Sequence, residues 1–151
     1  IVQGMRPLMS YNYGAKLKER MHQILKVSGL VIAAILGAGT LLFFIVPNVL
    51  LSLFNASSGM LEIGETGLRI LSLSFIVSSF GVLMSGVFEA LGLGKYSLIV
   101  SLLRQLLITV PLAYILLNIM GIEGIWLSFV IAEAIASIVA YILYHKKFKT
   151  I

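Results

Sequence analysis

The composition of this 151-residue chain is that of a membrane protein. Apolar residues make up 60% of it and charged residues 11%, with a mean hydropathy of +1.07, whereas a soluble domain has about 25% charged residues. The net charge of +5 does not indicate a nucleic-acid partner, because membrane proteins concentrate Lys and Arg in cytoplasmic loops. Cysteine is absent, which excludes disulfides, thiolate metal sites and a cysteine nucleophile.

Four apolar segments are each long enough to cross about 30 Å of hydrocarbon as a helix. Ahead of them, residues 1–9 are apolar and predict the end of a fifth helix; because the chain opens at Ile1, we expect it to belong to a longer protein. The sequence therefore predicts an all-α, polytopic transmembrane bundle, with residues 1–151 forming one partial bundle. The predicted spans are residues 27–46, 70–88, 96–120 and 125–143.

The distribution of charge predicts the orientation of these spans in the cytoplasmic membrane. Cytoplasmic loops carry an excess of Lys and Arg, so we predict that the loop of residues 11–26 and the C-terminal tail are both cytoplasmic. The eight basic residues on that side are Lys16, Lys18, Arg20, Lys26, Lys95, Lys146, Lys147 and Lys149. The loops on the other side hold Glu62, Glu65 and Glu123, with Arg69 at an edge.

Small residues at four-residue spacing predict two packing seams, because they allow helices in a membrane to approach closely. One seam, in the last span, consists of Ser128, Ala132, Ala136 and Ala140. The other, in the first span, consists of Gly29, Ala33 and Gly37.

Polar residues share a face on each of the two middle spans. On the second span these are Ser74, Ser78, Gly81, Ser85 and Glu89, and on the third they are Ser97, Ser101 and Gln105, beside Arg104. The favoured interpretation is that the serines bond to their own backbone at helix interfaces. The alternative is a polar cavity, which Ser78, Ser85, Ser101 and Gln105 would line.

Three charged residues, Glu89, Arg104 and Glu133, are candidates for function, because a charge within the bilayer is costly unless it is paired or hydrated. Glu89 lies near the end of its span and is best explained as an interfacial carboxylate. Arg104 and Glu133 lie about 12 Å and about 15 Å from the basic side by helical rise. Since the last two spans are antiparallel and joined by a short loop, we predict that these two residues form a charge pair.

The sequence does not favour an enzyme. His22 and His145 stand in basic stretches without a carboxylate at ligand or triad spacing. The string from Gly92 to Tyr96 fails as a phosphate-binding loop, because Glu89 replaces the first glycine and Tyr96 the hydroxyl residue. We predict no catalytic residues and no cofactor-binding residues, and the question of a metal site stays open.

Three segments together resemble the multidrug and toxin extrusion (MATE) family of transporters. Residues 4–15, GMRPLMSYNYGA, resemble the end of the family's eighth helix and the loop that follows it. Residues 90–105 are similar to the junction of helices ten and eleven, and residues 121–133 to the start of helix twelve. These segments occur in the family's order and spacing over nearly the whole chain.

The resemblance implies a protein of twelve helices in two facing six-helix bundles, of which this chain supplies the end of helix eight through helix twelve. It implies an antiporter that exports drugs and other cationic or amphipathic compounds in exchange for Na⁺ or H⁺. Its partners would be the lipid bilayer, the N-terminal bundle and small-molecule substrates. The sequence departs from the family's pattern at two positions. Val130 stands where the family often has proline, and Glu89 lies too near a helix end to match a known coupling carboxylate.

Two alternatives to the exporter stay open at this point. A lipid-linked saccharide flippase of the same superfamily should line its cavity with several cationic residues that meet pyrophosphate, and Arg104 is the only deep one in the predicted spans. A membrane-embedded structural or assembly subunit would use the polar faces only as helix interfaces. A further bundle of about six spans upstream of this chain would favour a transporter built on a repeat.

Overall fold

The computed structural model describes residues 1–54 and 57–148, and within these ranges the chain is helical without strands. The helices are α1 (Val2–Gly14), α2 (Lys18–Ile45), α3 (Pro47–Ser52), α4 (Ser58–Ala90), α5 (Gly94–Leu102), α6 (Thr109–Met120) and α7 (Ile122–Phe148), with a π-helical turn, Leu103–Leu107, between α5 and α6. Four segments are long and apolar enough to cross a membrane: α2, α4, the stretch from α5 to α6, and α7. The predicted all-α, polytopic fold class is confirmed.

The helices extend beyond the apolar segments that predicted them. Helix α2 begins at Lys18, and α1 continues to Gly14, so the predicted loop of residues 11–26 is wrong in its extent. Between α1 and α2 the chain leaves helical geometry only in the short turn around Lys16, which has a φ of +58°. Hydropathy detects the part of a helix that lies in hydrocarbon, whereas backbone hydrogen bonding continues into the polar interface. Lys149, the last basic residue of the predicted tail, lies outside the described residues.

Helix α4 is the centre of the bundle, and α1, α2, α3, α5 and α7 all pack against it. Its buried side chains include Met84, Val87 and Phe88, each exposing at most 1% of its surface. Met5 and Met9 of α1 pack against the same cluster. Because lipid tails are as apolar as these side chains, shape complementarity holds the helices together, and flexible methionines fill irregular gaps well.

The predicted seam on α7 is confirmed, because all four of its small residues have 0% exposure. Beside it, the hydroxyl of Ser137 donates a hydrogen bond to the Val77 carbonyl of α4 over 2.9 Å. A methyl group on Gly81 of α4 would lie 3.2 Å from the same hydroxyl oxygen. Close contact along this seam sets the height of the α7 side chains relative to α4.

The predicted seam on α2 is wrong apart from Gly29, which faces Leu83 of α4. Ala33 is exposed, and a Cβ on Gly37 would meet no described atom within 4 Å. Helix α2 packs instead through Ile32 and Thr40, whose hydroxyl donates to the Ser72 carbonyl over 2.9 Å. Four-residue spacing drifts around a helix by about 40° per step, so the positions of neighbouring helices decide which residues are buried.

The turn from α6 to α7 brings these two helices into backbone contact. Gly121 ends α6 with a φ of +71°, a conformation that favours glycine. A Cβ on Gly124 would lie 2.3 Å from the Leu116 carbonyl oxygen of α6, so only glycine fits there. This contact fixes α7 beside the third span, on which Arg104 lies.

Candidate functional site

Arg104 and Glu133 meet between the third span and α7. The Nε atom of Arg104 lies 3.5 Å from Oε1 of Glu133, and the side chains are 23% and 17% exposed, respectively. This distance exceeds the 2.7–2.9 Å typical of a charge-assisted N–H···O bond. The second carboxylate oxygen, Glu133 Oε2, is buried and has no hydrogen-bond partner among the described residues. The two residues predicted to pair are thus together, but the carboxylate is only partly satisfied.

Arg104 lies in the π-helical turn Leu103–Leu107. The N–H of Ile108 donates to the Leu103 carbonyl over 3.1 Å, five residues back rather than four. The Arg104 carbonyl is therefore left without the bond that Ile108 would give it in an α-helix. The hydroxyl of Thr109 donates to that carbonyl instead. Such turns within α-helices occur frequently at functional sites.

Pro111 provides a sequence-based cause for this turn. Proline has no N–H to donate to the carbonyl four residues earlier, here Leu107, and its ring crowds that carbonyl. The π-helical turn ends at Leu107. The predicted span of residues 96–120 lies within the span Gly94–Met120, but the π-helical turn interrupts its α-helix, and Pro111 is the sequence signal of that irregularity.

The ion pair lies in a recess of about 360 Å³, which we call the charged recess. Its lining residues are Ser78, Arg104, Gln105, Phe129 and Glu133. Ser78 and Gln105 were predicted as cavity lining. Phe129 was missed, yet it precedes Glu133 by four residues and therefore shares its helix face. The Ser78 hydroxyl also donates to the Phe75 carbonyl over 3.0 Å, so the backbone-bonded interpretation and the cavity-lining one both apply to it.

The remaining candidates, Glu89, Ser85 and Ser101, do not line the charged recess. Glu89 is an interhelical clamp at the basic end of the bundle: its Oε2 forms an ion pair with Arg6 of α1. Its Oε1 accepts a hydrogen bond from the Ser97 hydroxyl of α5 over 2.8 Å. Glu89 thus joins three helices near the membrane boundary.

The described residues contain no group of three or more His, Cys, Asp or Glu side chains that could hold a metal ion. The spanning helices and the charged recess between them define a class of protein, a multi-pass α-helical membrane protein with a polar site inside its bundle. Residues 1–115 match the family described as MatE. The chain belongs to this transporter family, which confirms the resemblance noted in the sequence.

Similar proteins support the assignment. The multidrug export protein MepA of Staphylococcus saprophyticus is 26% identical over 143 residues, covering 95% of this chain and 31% of that protein. The solved inward-facing conformation of a MATE family multidrug resistance transporter matches with a TM-score of 0.92 at 21% identity, over 99% of this chain and 35% of that one. The MATE multidrug transporter DinF-BH, solved in complex with R6G, matches with a TM-score of 0.86 at 30% identity, over 96% and 32%. The chain spans about a third of the length of these relatives.

Proposed function

We propose that this chain forms part of the second bundle of an exporter that moves cationic or amphipathic organic compounds out of the cell in exchange for Na⁺ or H⁺. The charged recess carries the proposal, because an ionisable pair inside a membrane bundle marks a substrate or ion pathway in most cases. Arg104 and Glu133 occupy the middle of their helices rather than the interfacial ends. The relative MepA is a multidrug export protein, which agrees with this proposal.

Alternating access supplies the mechanism of the proposed exporter. In transporters built from two related bundles, the bundles rock about a central site that opens to each side of the membrane in turn. This chain contributes one face of such a site, and the other face belongs to the N-terminal bundle. Expressed alone, the chain should insert into the membrane and give no drug resistance, and robust efflux by the isolated chain would contradict this proposal.

The charged recess favours an exporter of cations over a lipid-linked saccharide flippase. Recognition of pyrophosphate requires several unpaired cationic side chains. Among the residues that line the recess, Arg104 is the only cation, and Glu133 stands beside it. The recess therefore offers a pyrophosphate group no excess of positive charge.

The orientation of the bundle follows from the proposal that its basic end is cytoplasmic. Because the chain contains no cysteine, single cysteines can be introduced as reporters. In intact cells, a cysteine at Lys147 should not react with a membrane-impermeant thiol reagent, whereas a cysteine at Glu123 should react. Labelling at Lys147 without labelling at Glu123 would reverse the proposed orientation.

The function itself is tested by efflux of fluorescent organic cations from cells that express the full-length transporter. Glu133→Gln should abolish efflux, because it removes the negative charge of the recess. Glu65→Gln is the matched control, because Glu65 is partly exposed and pairs with Arg69 one turn away, over 2.7 Å. Efflux by the Glu133 variant equal to that of the control would remove the recess from the transport path.

A further inference from the structure

One carboxylate oxygen of Glu133, Oε2, is buried without a hydrogen-bond donor among the described residues. Among the described residues the only close cationic contact of Glu133 is the 3.5 Å approach of Arg104 Nε to Oε1, and none of them donates to the buried Oε2. A buried carboxylate oxygen without a donor is costly in a low-dielectric environment. The protein nevertheless retains it in a side chain that lines the charged recess beside Arg104, so that a ligand would have to displace neighbouring groups to reach it.

The rest of the charged recess indicates what kind of ligand that is. A volume of about 360 Å³ falls within the range of about 300–1,000 Å³ found for small-molecule sites, and is larger than one inorganic ion requires. Phe129, 42% exposed, offers an aromatic face that attracts cations. A planar cation with parallel N–H groups could donate to both Glu133 oxygens while lying near this ring, as the fork of an arginine does.

The contact between Arg104 and Glu133 is weak enough for a ligand to displace the arginine from the carboxylate. Arg104 approaches Glu133 through Nε, side-on, and not in the bidentate geometry that makes such pairs strong. Its backbone lies in the π-helical turn, where the Thr109 hydroxyl replaces a regular helical bond to its carbonyl. A guanidinium that makes one contact of 3.5 Å with its carboxylate loses little when another donor takes its place.

We propose that Arg104 is a built-in competitor for the Glu133 carboxylate, and that ligands with a planar amidinium or guanidinium group bind the charged recess by displacing it. Such groups reproduce the charge, planarity and N–H donors of the arginine that they replace. The ligand also supplies the donor that Glu133 Oε2 lacks. The inference rests on the proposed export function for the physiological role of the ligand, but binding can be measured without transport.

The test uses the full-length transporter, purified in lipid nanodiscs and titrated with DAPI, a planar fluorescent dye that carries amidinium groups. Arg104→Gln removes the competitor and keeps a polar side chain, so DAPI should bind about tenfold more tightly, a change of about 1.4 kcal/mol. Glu133→Gln should weaken binding by about tenfold or more on the same scale. Glu65→Gln, which changes a carboxylate outside the recess, should leave the affinity unchanged, and the neutral planar dye Nile red should not distinguish the variants.

Two results would overturn the proposal. Unchanged or weaker DAPI binding by Arg104→Gln, in protein that remains monodisperse on size exclusion, would make Arg104 a structural support. A loss of Nile red binding in Glu133→Gln as large as the loss of DAPI binding would mean that this variant distorts the bundle and does not act by removing a charge that binds the ligand. If Glu133→Gln does not fold, Glu133→Asp serves in its place, because it keeps the charge and withdraws it from the recess, and it should also weaken DAPI binding.

The proposed function and this inference fail in different ways. Cells that express the wild-type transporter and do not export DAPI, combined with tighter binding by Arg104→Gln, would contradict the export function alone. If the wild type exports DAPI but Arg104→Gln does not bind DAPI more tightly, only the competitor role of Arg104 would be contradicted.

Discussion

The described part of the bundle contains two interhelical Arg–Glu pairs, whose carboxylates are satisfied to different degrees. At the basic end, both oxygens of Glu89 have partners, because Arg6 approaches Oε2 and the Ser97 hydroxyl donates to Oε1. At the charged recess, Glu133 has a distant contact at one oxygen and no described donor at the other. At the basic end the carboxylate is thus satisfied at both oxygens, although Arg6 Nε is buried without a partner among the described residues, whereas at the charged recess one carboxylate oxygen is left without a donor.

Selection for stability alone would not give this difference between the partners of Glu89 and those of Glu133. The side chains of Arg6 and Glu89 are 42% and 36% exposed, whereas those of Arg104 and Glu133 are 23% and 17% exposed. A more deeply buried charge has a greater need for partners, because water cannot supply them. The better-satisfied carboxylate, that of Glu89, is nevertheless the more exposed one. This inversion supports the proposal that Glu133 is kept available for a group outside the chain, while Glu89 serves the fold.

The largest expected effect comes from removing one member of the buried pair. Arg104→Leu leaves the Glu133 carboxylate with neither a cation nor a polar neighbour at this position, and stranding a buried charge costs up to about 3–5 kcal/mol, whereas the amide of Arg104→Gln can still donate to the carboxylate. We expect a strong loss of folded full-length protein, measured by size exclusion of a fluorescent fusion. The double variant Arg104→Leu with Glu133→Leu should recover part of that yield, because neither charge is then stranded.

The same double-mutant cycle at the clamp sharpens the contrast. Arg6→Leu and Glu89→Leu should each have small effects, since half-exposed pairs contribute about 0–1 kcal/mol. If the losses at Arg104 and Glu133 are strictly additive, the two residues do not interact and the charged recess is misassigned. If folded yield recovers in the double variant but transport does not, the pair has a role in transport beyond folding.

An intermediate effect is expected from the π-helical turn next to the recess. Thr109→Val keeps the side-chain shape but removes the hydroxyl that donates to the Arg104 carbonyl, and an unsatisfied buried acceptor costs about 1–3 kcal/mol. The full-length protein should show a lower thermal midpoint in detergent. Thr40→Val is the comparison, because the carbonyls that Thr40 reaches, Leu36 and Ser72, belong to regular helices.

A Thr109 variant as stable as the wild type would show that the Arg104 carbonyl finds another partner. A Thr40 variant that loses as much stability as the Thr109 variant would indicate a general hydroxyl effect. Either result would mean that the hydrogen bond from Thr109 to the turn beside Arg104 makes no special contribution to stability.

Much of the fold was accessible from the sequence, because the bilayer imposes simple constraints on length and hydropathy. The ends of the helices were not, since Lys18 and the first turns of α4 lie outside the apolar segments. The α2 seam also failed: Gly29 packs on Leu83, whereas Ala33 does not face the bundle. Small-residue spacing identifies a face that can pack closely, but only the neighbouring helices determine whether it does so.

The charged residues of the candidate site could be predicted from the sequence, but the backbone conformation beside them could not. Equal depth on antiparallel helices brought Arg104 and Glu133 together in the prediction, because helical rise converts residue counts into height. The π-helical turn was missed, since proline within a membrane helix has several structural outcomes and Pro111 alone does not select one. The partner of Glu89 was also missed, because Arg6 lies on a helix far away in the sequence.

The smallest expected effect is at Glu89, and it provides the final check on the contrast between the two pairs. Glu89→Gln keeps an oxygen that can accept from the Ser97 hydroxyl and loses only the charge that attracts Arg6. Because both side chains are more than a third exposed, water replaces much of that interaction, and the cost should be about 0–1 kcal/mol. The thermal midpoint and the affinity for DAPI should both remain close to those of the wild type. A loss of DAPI affinity comparable to that of Glu133→Gln would mean that the clamp and the charged recess are coupled through α4, so that Glu89 could no longer be regarded as serving the fold alone.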